Sequence, residues 1–427
     1  MQANKPIKKY DTYKDSGIEW IGEIPNNWNI VQVKNLFNIG RGRVISQLEL
    51  DDNGEYPVYS SQTQNNGCLG YIKTYDFDTS QLTWTTDGAN AGTVFLREGK
   101  YNCTNVCGTL QPKSNNINLK YMLYNLVHTA HYHKRQDTNG YKIMNNEMAA
   151  IKLCVPILSE QQAIADYLDK KCGEIDRVVE SEKKIIEKLK EYKQSVITEA
   201  VTKGLDKSAP LKDSGIEWIG EIPKEWEVGR IKYNYYLKGR IGWQGLKANE
   251  FLDDGAYLVT GTDFCNGHVN WDTCYHISEE RYNEAPEIHV KIDDLLVTKD
   301  GTVGKIAYID SKPEKVSLNS HLLIVRPINE NYKNKFMYWV IQSEIFLKYY
   351  QLSQNGTIMA SLSQEKISNF SFALPDQEIQ IKIADYLDKK CSEIDKLISD
   401  KEILIEKLTE YKKSLIYECV TGKRKVI

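Results

Sequence analysis

Two stretches of the chain repeat apolar residues in alternating steps of three and four. In the first, from Ser159 to about Thr202, these are Leu168, Cys172, Ile175, Val179, Ile186, Leu189, Val196 and Ala200. In the second, from Asp376 to the end, they are Leu387, Cys391, Ile394, Ile398, Ile405, Leu408, Leu415 and Cys419. Such alternation keeps one apolar seam on one side of an α-helix, the pattern of a helix that packs lengthwise on another. At 1.5 Å per residue each helix would run about 60 Å, and both are too polar to stand alone. The two stretches share IADYLDKKC, starting at Ile164 and at Ile383, and also IEKL followed by EYK, so each is the natural partner of the other. Ser159 with Gln162 three residues later predicts a capping box; Asp376 is the matching cap, with Ile379 where a box would need Glu or Gln. Glu182 and Lys401 occupy equivalent seam positions where an apolar residue is due. An antiparallel pairing would bring these opposite charges together and help set register.

A second repeat precedes each helix. KDSGIEWIGEIP runs from Lys14 to Pro25, followed by Trp28, and returns from Lys212 to Pro223, followed by Trp226. The chain is therefore a tandem duplication of a domain followed by a helix, on a scale far larger than a solenoid unit. Between these landmarks, Ile30 to Val155 and Val228 to Leu374 read as short strands broken by turns such as Asn53-Gly54, Asn66-Gly67, Asp87-Gly88, Asp254-Gly255 and Asp300-Gly301. Helices are predicted at Leu119 to His133 and Asn331 to Tyr350, and a short apolar strand at Ile151 to Pro156 and Phe370 to Pro375. The fold class expected is α+β. It has two globular domains at 1–158 and 207–375, two long helices at 159–206 and 376–427 that form an antiparallel coiled coil, and a pseudo-twofold internal repeat.

Composition changes this picture little. The chain has 427 residues and a formal net charge of −3, so any nucleic-acid binding must come from local patches. The nine cysteines are scattered, two of them on the helix seams, and imply no disulfide. No run of about 18 apolar residues exists and the polar start has no signal-peptide core, so a cytoplasmic location is expected. Catalytic motifs are missing. Gly301 to Ile306 has two residues between its glycines where a Walker loop needs four, and Ile306 stands where Ser or Thr would hold magnesium, so a strand-connecting turn is expected. His128, His131 and His133, like Cys103 and Cys107, match no zinc spacing, so no metal site is assigned. The sequence contains no amino-methyltransferase tetrapeptide, no GxSxG elbow and no HExxH helix.

What accumulates instead is a set of polar and basic loops. In the first domain these are Arg41 and Arg43 around Gly42; Ser61, Gln62, Gln64 and Asn65 within an amide-rich run; and Lys134, Arg135, Asn139 and Lys142. In the second they are Lys238 and Arg240 around Gly239, then Trp243, Gln244, Lys299, Gln354 and Asn355. Arginine, lysine and side-chain amides are the groups that read base edges and position phosphates.

The markers, the turn-rich domain, the strand ending at Pro156 or Pro375 and the EQQAIADYLD-type helix together resemble the specificity subunit of type I restriction-modification enzymes, over essentially the whole chain. That resemblance implies two target-recognition domains reading the halves of a bipartite DNA site, with the helix pair as ruler and docking surface for modification subunits, two being expected. Those partners would methylate adenine with S-adenosylmethionine, and a restriction and translocation subunit would use ATP and magnesium. This chain would itself bind no cofactor or metal, and would be noncatalytic. Two other readings stay open: a DNA-modifying or DNA-cutting enzyme with an unfamiliar site, and a structural adaptor that binds protein. Since the halves share helices but differ in loops, an asymmetric target is expected, with Arg41 and Arg240 acting on different half-sites. For the Glu182 and Lys401 pair, the expected outcome is that Glu182→Lys with Lys401→Glu melts higher than either single variant; equal melting temperatures would refute the contact.

Overall fold

The computed structural model describes residues 8–138, 140–240, 245–299, 304–353 and 362–426. They fall into two compact units, Met1–Lys183 with Glu402–Ile427, and Lys184–Lys401. The long helices run unbroken over Leu158–Lys203 and Gln377–Val420, and each unit takes a stretch of both.

In the first unit, Leu168, Cys172 and Ile175 of the first helix share one buried cluster with Leu415, Ile416, Cys419 and Val420 of the second. In the second unit, Val196, Ile197, Ala200 and Val201 do the same with Ile383, Ala384, Leu387 and Cys391. The start of each helix thus lies with the end of the other, which is the antiparallel sense. Ion pairs mark the register within each unit. Lys412 donates to both oxygens of Asp176 at 2.6 and 2.7 Å, and Lys193 to those of Asp395 at 2.7 Å each. These four residues hold matching positions in the two copies, so the same pair is made twice. Exposed pairs of this kind contribute only about 0.2–1 kcal/mol each; burial of the seam supplies the stability and the pairs fix the alignment. Glu182 and Lys401 are both half-buried on their helices, one in each unit.

The predicted capping box does not form. Leu158 is already helical, so Ser159 lies inside the first turn, and the Gln162 side chain accepts from Asn118 Nδ2 at 2.6 Å and donates to Asp166 at 2.8 Å. Asp376 is the cap expected, accepting from the Ile379 amide at 2.9 Å. A buried glutamine also secures each helix start. Gln161 donates to Pro156 O and accepts from the Asn118 amide; Gln380 donates to Pro375 O and accepts from the Lys333 amide, all at 2.9 Å.

Each marker is a small hairpin, Tyr13–Asp15 with Glu23–Pro25 and Leu211–Asp213 with Glu221–Pro223. It buries Ile24 or Ile222 and leads to Trp28 or Trp226. Beyond it, both units build the same pair of sheets. In the first unit an antiparallel sheet runs in the order Val94–Arg97, Gln81–Thr85, Cys107–Pro112, Phe37–Arg41. A second sheet pairs Tyr56–Tyr59 with Lys100–Cys103 in parallel and with Cys68–Ile72 antiparallel. In the second unit the corresponding orders are Ile306–Tyr308, Leu295–Thr298, Leu322–Pro327, Tyr235–Gly239, and Tyr275–Ile277, Ala256–Val259, Val316–Leu318, again with one parallel pair. The helix expected over Leu119 to His133 is α-helical over Leu119–Thr129 and then 3-10 over Ala130–Tyr132. The one expected over Asn331 to Tyr350 divides into Asn334–Gln342 and Glu344–Leu352 at the buried Ser343.

Gly173, where the second helix has Ser392, does not interrupt its helix, and a Cβ there would meet nothing within 4 Å. Gly173→Ala should therefore stabilise the chain by about 0.5–1 kcal/mol, read as a higher denaturant midpoint at unchanged slope.

Candidate nucleic-acid interface

The solvent-facing candidates of the first unit fall into two groups. In one, Arg41 ends its strand exposed, with Nη2 3.6 Å from Met144 Sδ. Near Met144, Arg135 donates to Glu147 at 2.6 Å. Arg135 and Lys142 are paired across a hairpin of Arg135–Asp137 and Gly140–Lys142. Lys142 lies 3.0 Å from Asp137, whose carboxyl it holds down at about 2, and the Thr138 amide and hydroxyl add to that shift. Lys134 sits over the Tyr141 ring at 4.5 Å. The hairpin is joined to Asp87–Gly88, so strand end, hairpin and the turn at Asp87 form one charged, aromatic edge in which Arg135 and Lys142 are paired with Glu147 and Asp137.

The second group surrounds the loop after Tyr56–Tyr59. Ser61 and Gln62 are half-buried, with the Gln62 amide donating to Cys68 O. Gln64 and Asn65 are exposed at the tip, where Asn65 and Asn66 adopt left-handed backbone at φ 48° and 54°. Such a conformation suits asparagine, whose short side chain tolerates it. Arg43 does not present a free guanidinium to this loop's surroundings: it donates to Glu49 at 2.8 Å and to Asp76 at 3.1 Å, and Glu49 raises its pKa.

In the second unit the strand register corrects one assignment. Arg41 pairs with Gly108, and Gly239 pairs with Leu323, the matching position, so Arg240 corresponds to Gly42 and not to an arginine flanking it. A slip of one residue turns a side chain to the other face of its strand. Gly42 has no room for a side chain, since a Cβ there would lie 2.2 Å from Cys103 O. Arg240 enters the equivalent place and is 3% exposed; Nε donates to Leu318 O at 2.8 Å and Nη2 to Ser317 Oγ at 2.9 Å. Burial lowers its pKa. Arg240 is thus a structural clamp on the parallel strand pair, not a solvent-facing reader. Lys238 and Lys299 are half-buried. Asn139, Trp243, Gln244, Gln354 and Asn355 lie outside the described residues.

A family model for the type I restriction modification DNA specificity domain matches residues 25–191 and 223–407, once in each half. The chain belongs to that family. The MjaVIII specificity subunit of Methanocaldococcus jannaschii, a type I restriction enzyme, is 25% identical over 419 residues, 94% of each chain. The MpnII specificity subunit of Mycoplasma pneumoniae is 38% identical over 170 residues, 39% of this chain and 51% of that protein. A solved structure of the type I R-M system, described for its complex assembly and conformational transition, contains a chain with the same fold. Its TM-score is 0.71 at 12% identity, and the match covers 93% of this chain and 99% of that one.

Other expected chemistry takes a structural form. His128 packs among Trp20, Tyr132 and Tyr417, with ring centroids 5.1–5.6 Å away, and burial lowers its pKa. Among the described residues no group of three His, Cys, Asp or Glu side chains could hold a metal, and no helix is long and apolar enough to cross a membrane. The strands Leu295–Thr298 and Ile306–Tyr308 pair antiparallel, and of the Gly301 to Ile306 segment between them 301–303 lie outside the described residues. Arg240→Ala should cost about 2 kcal/mol in urea unfolding of the full chain, since it strands carbonyl and hydroxyl acceptors. Arg41→Ala should stay within about 0.5 kcal/mol.

Proposed function

We propose that this chain is the noncatalytic specificity subunit of a type I restriction-modification complex, each unit reading one half of an asymmetric bipartite DNA site. The observation that carries this reading is internal: two units with one strand order, twin helices and unlike loops. Equal scaffolds with different loops are what two different half-sites require of one chain, because loops on a rigid frame specify while the frame positions. The charged edge of Arg41, Lys134, Arg135 and Lys142, with the amide tip at Gln64 and Asn65, serves the first half-site. Lys238 and Lys299, with Trp243, Gln244, Gln354 and Asn355, serve the second. Methyl transfer from S-adenosylmethionine, and ATP- and magnesium-dependent cleavage, belong to partner subunits in the cytoplasm.

Two modification subunits dock on the long helices. Supporting this, Val178 and Tyr411 of the first unit and Leu397 and Tyr192 of the second hold matching positions in the copies, and all remain 44–50% exposed, whereas other exposed apolar residues of these helices, such as Ile403 and Leu404, are exposed in one copy only. An apolar pair left in solvent twice, at equivalent places, fits one partner bound twice. Tyr411→Asp and Tyr192→Asp should each remove one modification subunit from the assembled complex in native mass measurement, weakening that site about thirtyfold or more. Two subunits retained in the double variant would refute this surface. For DNA reading, mapping methylated adenines in cells that express the complex should give a two-part motif, with Arg41→Ala relaxing bases in one part only. Methylation by the chain alone would favour the enzyme reading instead.

A further inference from the structure

In the first unit the loop 60–67 rests on a buried charge. Arg97 is 2% exposed, stacks on the Tyr59 ring at 3.5 Å and lies 4.3 Å from the Phe95 ring centroid. Its Nε donates to Thr83 Oγ1 at 3.2 Å, and Nη1 has no hydrogen-bond partner among the described residues. No ion pair to a carboxylate is made by Arg97 among the described residues. Directly above it is Gly67, at φ 79°, where a Cβ would stand 2.9 Å from Nη2. The loop closes over this group through Ser60 N donating to Gly67 O at 3.0 Å and Thr104 Oγ1 donating to Ser60 Oγ at 3.1 Å.

The second unit shows that the fold does not need an arginine there. Counting along the paired strands from Gly40 and Lys238, the place of Thr83 is taken by Leu296, that of Phe95 by Ala307 and that of Arg97 by Ile309. Val259 replaces Tyr59, as their shared parallel pairing shows. All four replacements are fully buried apolar residues of one cluster. Burying an incompletely bonded guanidinium in place of isoleucine is costly, so its presence needs a reason outside the sheet frame. In the second unit the matching loop, 260–267, is anchored by a different buried charge. Asp263, 2% exposed, accepts from the Thr260 amide at 2.7 Å and from the Thr273 hydroxyl at 3.0 Å.

We propose that Arg97 and Asp263 are positioning residues for specificity: each holds the loop that follows the inner strand of its unit, Tyr56–Tyr59 or Ala256–Val259, in its base-reading shape. The proposal deepens the reading given above and rests on it. Its mechanism is pre-organisation, since a loop already held in its bound shape loses less freedom on binding DNA. The planar stack on Tyr59 makes the role specific to arginine, which lysine cannot reproduce.

The test has two arms on the full chain. Without DNA, amide hydrogen exchange of 60–68 should quicken about tenfold in Arg97→Ile and Arg97→Lys while 260–267 is unchanged, and the reverse should hold in Asp263→Asn. With modification subunits, selection from a randomised duplex DNA pool should show altered base preference in one half for the Arg97 variants and in the other half for Asp263→Asn. Unchanged loop exchange, unaltered base preference, or recovery reduced equally for all sequences would overturn the proposal. If the unsubstituted complex selects no two-part sequence, it is the reading of the function that fails, and the exchange arm still decides whether the loops are held as proposed.

Discussion

Pairing the first stretch of one long helix with the last stretch of the other is the constraint on which both units depend. The cluster around Leu168 and Cys172 is completed by Leu415 and Cys419, and that around Val196 and Ala200 by Leu387 and Cys391. Neither half of the sequence can bury its own seam, because each unit takes residues from both repeats. Folding is thereby made a property of the whole chain: long-range closure has to precede burial of the seam. At the chain ends, Lys425 N donates to Lys8 O at 2.8 Å and Tyr13 OH to Gly422 O at 3.2 Å, so the first unit also joins the two termini.

On this frame the sheets tolerate wide change in sequence. The register that equates Gly42 with Arg240 shows how little identity is needed: one unit leaves a side chain out where the other inserts a guanidinium, and both satisfy the region around the same carbonyl, Cys103 O or Leu318 O. What both units keep is strand order, the parallel pair and the hairpin between the paired strands. Loop composition is free to diverge because backbone pairing, not loop contacts, carries the fold.

The sequence made some of this legible and hid the rest for physical reasons. The helix seams were visible because their period is repeated over forty residues and every seam position named is buried or half-buried. The register pairs Asp176 with Lys412 and Lys193 with Asp395 were harder to find: charged residues crowd both helices, and only the pairing geometry selects among them. Ser159 looked like a cap because composition cannot place a boundary to within one residue. Arg240 reads in sequence as a reader because Arg-Gly-Arg and Lys-Gly-Arg align residue for residue but differ in strand phase. Arg97 is not legible in the sequence because an isolated arginine in a strand normally belongs to a solvated face; its burial, and the isoleucine that takes its place in the other unit, exist only in three dimensions.

Why a buried charge should anchor a reader loop follows from what such a loop must resist. A loop rich in serine, glutamine and asparagine has little apolar surface with which to fix itself, and its amides compete for water in the free state. An apolar floor like that formed by Val259 and Ile309 offers it no directional contact. A guanidinium stacked on Tyr59 offers a flat, rigid surface in close contact with Gly67, and an internal carboxylate such as Asp263 offers acceptors. Either costs stability at the sheet, yet each narrows the shapes that the loop can adopt. The two units reach the same restraint by opposite charges, which lets the loops differ in sequence without loss of definition.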